Sequence, residues 1–171
     1  NGNDQPPPPG TAGEIVTRGP TVMKGYFKDP DATAKALKGG WMHSGDIGIV
    51  DEEGWLYVVD RKKDMIIKGG ENIFPAEIEN ILYKHPAVAE AAVIGVPDKI
   101  YGENVVAFIV AHKGADVEPE DLIAHVKKEV SSFKAPAEVI FIPQLPKSGV
   151  GKILRRELRD QYAKEPATRA T

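Results

Sequence analysis

Residues 60–79 read Asp60-Arg61-Lys62-Lys63-Asp64-Met65-Ile66-Ile67-Lys68-Gly69-Gly70-Glu71-Asn72-Ile73-Phe74-Pro75-Ala76-Glu77-Ile78-Glu79. The first five are a charged run too polar for a core strand. Charged, exposed connectors are where few contacts cross between domains, so a boundary is expected here, with one domain over 1–62 and a second over 63–171. Met65–Ile67 and Asn72–Phe74 flank Gly69-Gly70, the pattern of a small hairpin. Pro75 suits the first turn of a helix running to about Lys84, with Ile78, Ile81 and Leu82 on one face. His85-Pro86 ends it.

Toward the C-terminus, Val88–Val96 and Val105–Ala111 are β-branched runs expected as strands, joined by a loop over Pro97–Glu103. Glu118–Val130 has helical spacing of Leu122, Ile123, Val126 and Val130, with acidic residues in the first turn. Val139–Ile142 reads as a short strand and Ile153–Tyr162 as a closing helix. The order after residue 64 is therefore β-β-α-β-β-α-β-α, an α+β domain of about a hundred residues. Toward the N-terminus, Trp55–Val59 and Ile47–Val50 form a hairpin around Asp51-Glu52-Glu53-Gly54. A short helix over Ala32–Leu37, capped by Asp31, and an extended piece over Glu14–Thr17 precede it. Residues 1–12 contain four consecutive prolines and fit neither helix nor sheet interior.

The 171 residues, 42% hydrophobic with a net charge of −3, bury one ordinary core or two small ones and offer no global basic field for a nucleic acid. With no cysteine there are no disulfides or Cys-ligated metals, and His43, His85, His112 and His125 form no ligand pair at helical spacing, so no metal site is expected. No apolar run reaches the roughly 18 residues of a membrane span, and no secretory signal opens the chain. A cytoplasmic protein whose natural N-terminus lies upstream of Asn1 is the expectation.

Pro146-Lys147-Ser148-Gly149-Val150-Gly151-Lys152 places a lysine on a glycine-rich turn that can deliver an ammonium to an anion. It is not a phosphate-binding P-loop. That motif needs Gly where Pro146 stands and Ser or Thr where Ile153 stands. Alone, the turn is equally a surface turn before the last helix.

Four segments together resemble the adenylate-forming superfamily of acyl-CoA synthetases, luciferases and peptide-synthetase adenylation domains. They are Gly13-Glu14-Ile15-Val16 through Gly25-Tyr26-Phe27, Gly40-Trp41-Met42-His43-Ser44-Gly45-Asp46-Ile47-Gly48, the stretch from Asp60 to Glu79, and Pro146 to Leu158. The resemblance implies the small C-terminal lid domain of such an enzyme, preceded by a β-rich, incomplete end of its large domain. The phosphate loop and acyl pocket of that large domain are absent here.

By the same resemblance Asp46 accepts hydrogen bonds from both ribose hydroxyls of ATP or AMP, as an acceptor-only carboxylate can; an Asp bonding its own turn is the plain alternative. Arg61 reaches the same ribose region, and Lys63 is the hinge whose backbone torsions change as the lid rotates. Lys152 is the catalytic lysine of adenylation, bridging the substrate carboxylate and the α-phosphate. Gly69 and Gly70 give the pantetheine arm of CoA close passage, which a Cβ would block. Tyr101 and Phe133 flank the CoA adenine, and Lys134 is a weaker candidate for its phosphates. Arg155 and Arg156 read as helix-surface charges.

The activity this implies is an AMP-forming acid–CoA ligase acting on a carboxylic acid, a fatty acid foremost or an aryl acid, with ATP, CoA and Mg²⁺ held mainly by the missing domain. This portion alone is expected to be inactive. An adenylation domain loading a carrier-protein pantetheine, or a lid or binding module without turnover, shares the same residues.

Overall fold

The computed structural model describes residues 6–164. Residues 1–5, the start of the proline-rich stretch, and 165–171 lie outside the described residues. The chain divides into two compact units, Asn1–Lys63 and Asp64–Thr171, one residue beyond the boundary expected after Lys62.

The first unit is a three-stranded antiparallel sheet of β1 (Gly13–Thr17), β2 (Met42–Val50) and β3 (Leu56–Arg61), in that order. Between β1 and β2 lie helix α1 (Pro30–Ala36) and a 3₁₀ turn at Lys38–Gly40. The helix cap is Asp29, whose carboxylate accepts from the Ala32 N–H at 2.9 Å, and not Asp31. Pro30 supplies the preset φ of the first helical position, so the residue before it becomes the cap.

Strand β2 begins five residues before the expected Ile47, because His43 and Met42 pair with Val16 and Thr17 of β1. Strand β3 carries the charged Asp60 and Arg61 into the ladder, opposite Ile47 and Asp46. An edge strand tolerates such charge. Asp51 closes the β2–β3 turn by accepting from the Glu53 and Trp55 amides at 3.0 and 2.8 Å.

The second unit is α+β, with the element order read from the sequence. It comprises β4 (Ile66–Lys68), β5 (Glu71–Ile73), α2 (Pro75–Leu82), β6 (Val88–Asp98), β7 (Gly102–Ala111), α3 (Pro119–Lys127), β8 (Glu138–Phe141) and α4 (Arg155–Lys164). The sheet runs β5-β4-β7-β6, with parallel β8 pairing β7 at residues 106–109. The loop expected over Pro97–Glu103 shrinks to 99–101, because β6 and β7 pair as far as Asp98 and Gly102.

The alternation of β6 and β7 feeds a core on each face of the sheet. Ala91, Val93, Val105, Ala107 and Ile109 pack with Ile78 and Leu82 of α2 and with Leu122 and Val126 of α3. Ala92, Ile94, Val96, Val106 and Phe108 pack with Leu145 and with Leu158 of α4. Both faces of the β6–β7 pair are covered, which is why residues 91–96 of β6 form a continuous apolar run. Among the described residues no helix is long and apolar enough to cross a membrane.

Candidate functional site

In the first unit, β2 and β3 bring Asp46 and Arg61 opposite one another. Arg61 Nε lies 2.7 Å from Asp46 Oδ1, and the carboxylate stays about one-third exposed. Asp46 does not sit in a self-bonded turn: its N–H donates to Ser44 Oγ at 3.0 Å, and the Ser44 hydroxyl donates to the Ile15 carbonyl. The positive φ of Gly45 at +75° lets the strand turn between them, and the Gly45 carbonyl accepts from the Lys62 N–H. Behind this, Glu14 of β1 receives Lys62 Nζ at 2.8 Å and meets His43 Nδ1 at 2.9 Å. Burial pushes the Glu14 carboxyl up, but the hydrogen bonds and charges of Lys62 and His43 outweigh it and hold its pKa below the ordinary value. Lys63 is exposed at the end of this unit.

In the second unit, Gly69-Gly70 form the β4–β5 turn, both at positive φ, +56° and +87°. A Cβ on Gly69 would stand 3.1 Å from Phe133 Cζ, whereas one on Gly70 would meet nothing within 4 Å. The Gly69 N–H donates to the Tyr101 carbonyl at 2.8 Å, and the Tyr101 and Phe133 rings meet edge to face at 5.6 Å. Gly69, Tyr101 and Phe133 therefore meet from three separate connections of the fold, with Gly70 and Lys134 adjacent to them in the chain. Lys134 is held by Glu77, its Nζ 3.0 and 3.2 Å from the two carboxylate oxygens. Asp98 braces the Tyr101 turn by accepting from the Ile100 and Tyr101 amides, each at 2.8 Å, and these bonds hold its pKa low.

The lysine turn is closed on itself. Ser148 N–H donates to the Lys152 carbonyl and Gly151 N–H to the Ser148 carbonyl, each at 2.8 Å, while Leu154 N–H reaches the Pro146 carbonyl. Lys147 Nζ pairs with Glu90 at 2.7 Å. Lys152 is exposed, and among the described residues its ammonium has no ion-pair partner. The fold thus fixes the backbone of the turn and leaves this cation outside it.

Arg155 is not a surface charge. Its side chain is 19% exposed, and it contacts Glu79 of α2 at 2.7 Å and Asp64 at 3.8 Å. Asp64, expected within an exposed connector, is buried at 7% and also meets Arg159 at 3.5 Å. Arg156 is exposed, as expected. Two further buried polar groups escape a local reading, Glu79 and Lys68. Both had a signal in periodicity: Glu79 lies four residues after buried Pro75 and three before buried Leu82, and Lys68 shares a strand face with buried Ile66. Among the described residues no group of three or more His, Asp or Glu side chains is arranged to hold a metal ion.

Residues 77–152 match the family model of the AMP-binding enzyme C-terminal domain. The chain is 50% identical over 158 residues to a feruloyl-CoA synthase of Amycolatopsis sp, covering 92% of this chain and 32% of that protein. It is 48% identical over 159 residues to a long-chain-fatty-acid–CoA ligase of Escherichia coli O6:H1, covering 93% and 28% respectively. Among solved structures it is similar to o-succinylbenzoate CoA synthetase of Bacillus subtilis in complex with the acyl-adenylate intermediate OSB-AMP. That match has a TM-score of 0.81 and 44% identity, covering 89% of this chain and 31% of the other. The chain thus spans about a third of the length of the curated relatives it matches. Its four motif segments, its α+β second unit and these likenesses make it a member of the adenylate-forming enzymes, carrying their AMP-binding C-terminal domain.

Proposed function

We propose that this chain is the C-terminal part of an AMP-forming acid–CoA ligase, in which Lys152 serves the adenylation half-reaction. The observation that carries the proposal is an exposed ammonium on a hydrogen-bonded turn, without an ion-pair partner among the described residues, in a chain about half identical to CoA ligases. In adenylation a carboxylate oxygen attacks the α-phosphorus of ATP and pyrophosphate leaves, so negative charge gathers between two anions. A fixed cation lowers that repulsion most in the transition state, where the charges are closest. The closed turn limits the reorganisation needed, and the flexible stem of lysine lets the ammonium bridge both groups.

The first unit contributes Asp46, with Arg61 beside it, as acceptor and cation for the ribose of ATP or AMP. Lys63 is the hinge, its torsions absorbing a change in the placement of the second unit. Gly69, Gly70, Tyr101, Phe133 and Lys134 receive CoA, with Lys134 shared between Glu77 and a phosphate. Mg²⁺ is held by the ATP phosphates and the portion of the enzyme not represented here. The acid is an aryl or fatty acid, the two classes named among the relatives.

The test is Lys152→Ala in the complete enzyme. Acid-dependent ATP–pyrophosphate exchange should fall by roughly 10²–10³, while thioester formation from supplied acyl-adenylate and CoA is largely retained. Exchange at the wild-type rate would remove Lys152 from the mechanism. Replacing CoA by a pantetheinylated carrier protein separates a CoA ligase from a carrier-loading enzyme.

A further inference from the structure

Lys68 is a buried ammonium that none of the roles above uses. It ends β4 only 6% exposed, on the strand face shared with Ile66. Its Nζ donates to the Phe133 carbonyl at 2.8 Å and lies 4.8 Å from the Phe133 ring centroid and 5.5 Å from that of Tyr101. Both distances suit a cation against an aromatic face. The next residue, Gly69, is bonded to the Tyr101 carbonyl, and a Cβ on it would stand 3.1 Å from the Phe133 ring and 3.5 Å from the Tyr101 ring. One side chain therefore ties together three chain segments: the glycine pair, the β6–β7 turn and the segment after α3.

Burying this ammonium carries a desolvation cost. Burial lowers the Lys68 pKa from its ordinary value, with Asp98 acting weakly in the other direction, so the charged form is disfavoured where it sits. An apolar side chain of the same length would fill the space without that penalty. What this cation holds in place is the Phe133 carbonyl and the two rings.

We propose that Lys68 is a positioning residue for coenzyme A, locking Gly69-Gly70 and the Tyr101–Phe133 ring pair into one rigid shelf for the pantetheine arm and the adenine. The inference rests on the CoA role proposed for Gly70, Tyr101 and Phe133. Without the ammonium, the Phe133 carbonyl loses its partner, both rings lose their cation, and the glycine turn no longer has a fixed distance from them. Tyr101 remains 42% exposed, which leaves ring surface on which a base can stack.

The experiment compares Lys68→Met, Lys68→Arg and Phe133→Ala with wild type in the complete enzyme. The acid is any member of an aryl- and fatty-acid panel that supports pyrophosphate exchange. Lys68→Met should raise the KM for CoA about tenfold, keep exchange within about twofold, and unfold at a midpoint equal to or above wild type. Lys68→Arg, which keeps the cation and its donors, should recover part of the CoA affinity. An unchanged CoA KM in Lys68→Met overturns the proposal. So does a parallel loss of exchange and CoA use, because a general structural defect would reach the Lys152 turn of the same unit. If Phe133→Ala raises the CoA KM and Lys68→Met does not, only this inference fails. If Phe133→Ala also leaves it unchanged, the CoA assignment beneath it fails.

Discussion

Arg155 Nη2 lies 2.7 and 2.8 Å from the two carboxylate oxygens of Glu79, joining the start of α4 to the middle of α2 within the second unit. Glu79 also accepts the Val93 N–H at 2.8 Å, so the pair reaches β6 as well. Replacing Arg155 by Met leaves Glu79 and Asp64 buried with fewer partners, a change that costs about 3–5 kcal/mol when a buried pair is broken. Urea denaturation should place Arg155→Met near the lower end of that range, because Asp64 keeps Arg159 and Glu79 keeps the Val93 amide. Arg156→Met, on the exposed side, should stay within about 0.5 kcal/mol of wild type.

The Asp46–Arg61 pair should behave oppositely. Its arginine is 55% exposed, and exposed pairs contribute about 0–1 kcal/mol, so Asp46→Asn should barely move the unfolding midpoint. Its effect should appear in nucleotide use. A hydrogen bond to a charged acceptor is worth about 1.5–3 kcal/mol, so the KM for ATP should rise between roughly tenfold and a hundredfold. Steady-state kinetics of the complete enzyme with varied ATP reads this directly.

The two turn glycines separate packing from ligand approach. Gly69→Ala puts a methyl 3.1 Å from Phe133 Cζ and should destabilise the second unit through crowding and positive φ together. Gly70→Ala has open space and meets only the positive-φ penalty, about 1–2 kcal/mol. A rise in CoA KM for Gly70→Ala larger than for Gly69→Ala would then report the path of the pantetheine arm. Thermal unfolding and CoA titration of the same two variants check this.

Glu14 makes the first unit acid-sensitive. Its folded pKa lies below the ordinary 4.5, so the folded state releases its proton more readily than the unfolded chain does. The stabilisation is fully present above pH 4.5 and is lost as pH falls through the folded value. Glu14→Gln should remove this limb from a plot of stability against pH, with fluorescence of half-buried Trp41 as the probe.

Lys68 adds a slope at the alkaline end with the opposite origin. Its folded pKa is depressed below 10.5, so between that value and 10.5 the unfolded chain binds more protons than the folded one. Stability of the second unit should therefore rise with pH across this window, and Lys68→Met should abolish the rise. Denaturant midpoints at several alkaline pH values are the measurement.

Periodicity and punctuation determined much of this protein. The alternation in 88–111, the helical faces of α2 and α3 and the prolines that open them are local signals, and they specified the α+β order of the second unit. The motif segments likewise marked Asp46, Arg61, Lys63 and Lys152 as residues to examine. Only the tertiary structure decided which charges are buried. Asp64 and Arg155 lie in polar runs that read as solvated, and they become internal because α4 packs Leu158 into the core and turns Arg155 and Arg159 toward Asp64, while Arg156 stays outside. Tertiary pairing also decided that Asp46 sits in a ladder opposite Arg61, and that Lys68 lies beneath two rings from segments more than thirty residues away in sequence. Burial and ion pairing are properties of neighbours in space, and a chain read in order shows only neighbours in sequence.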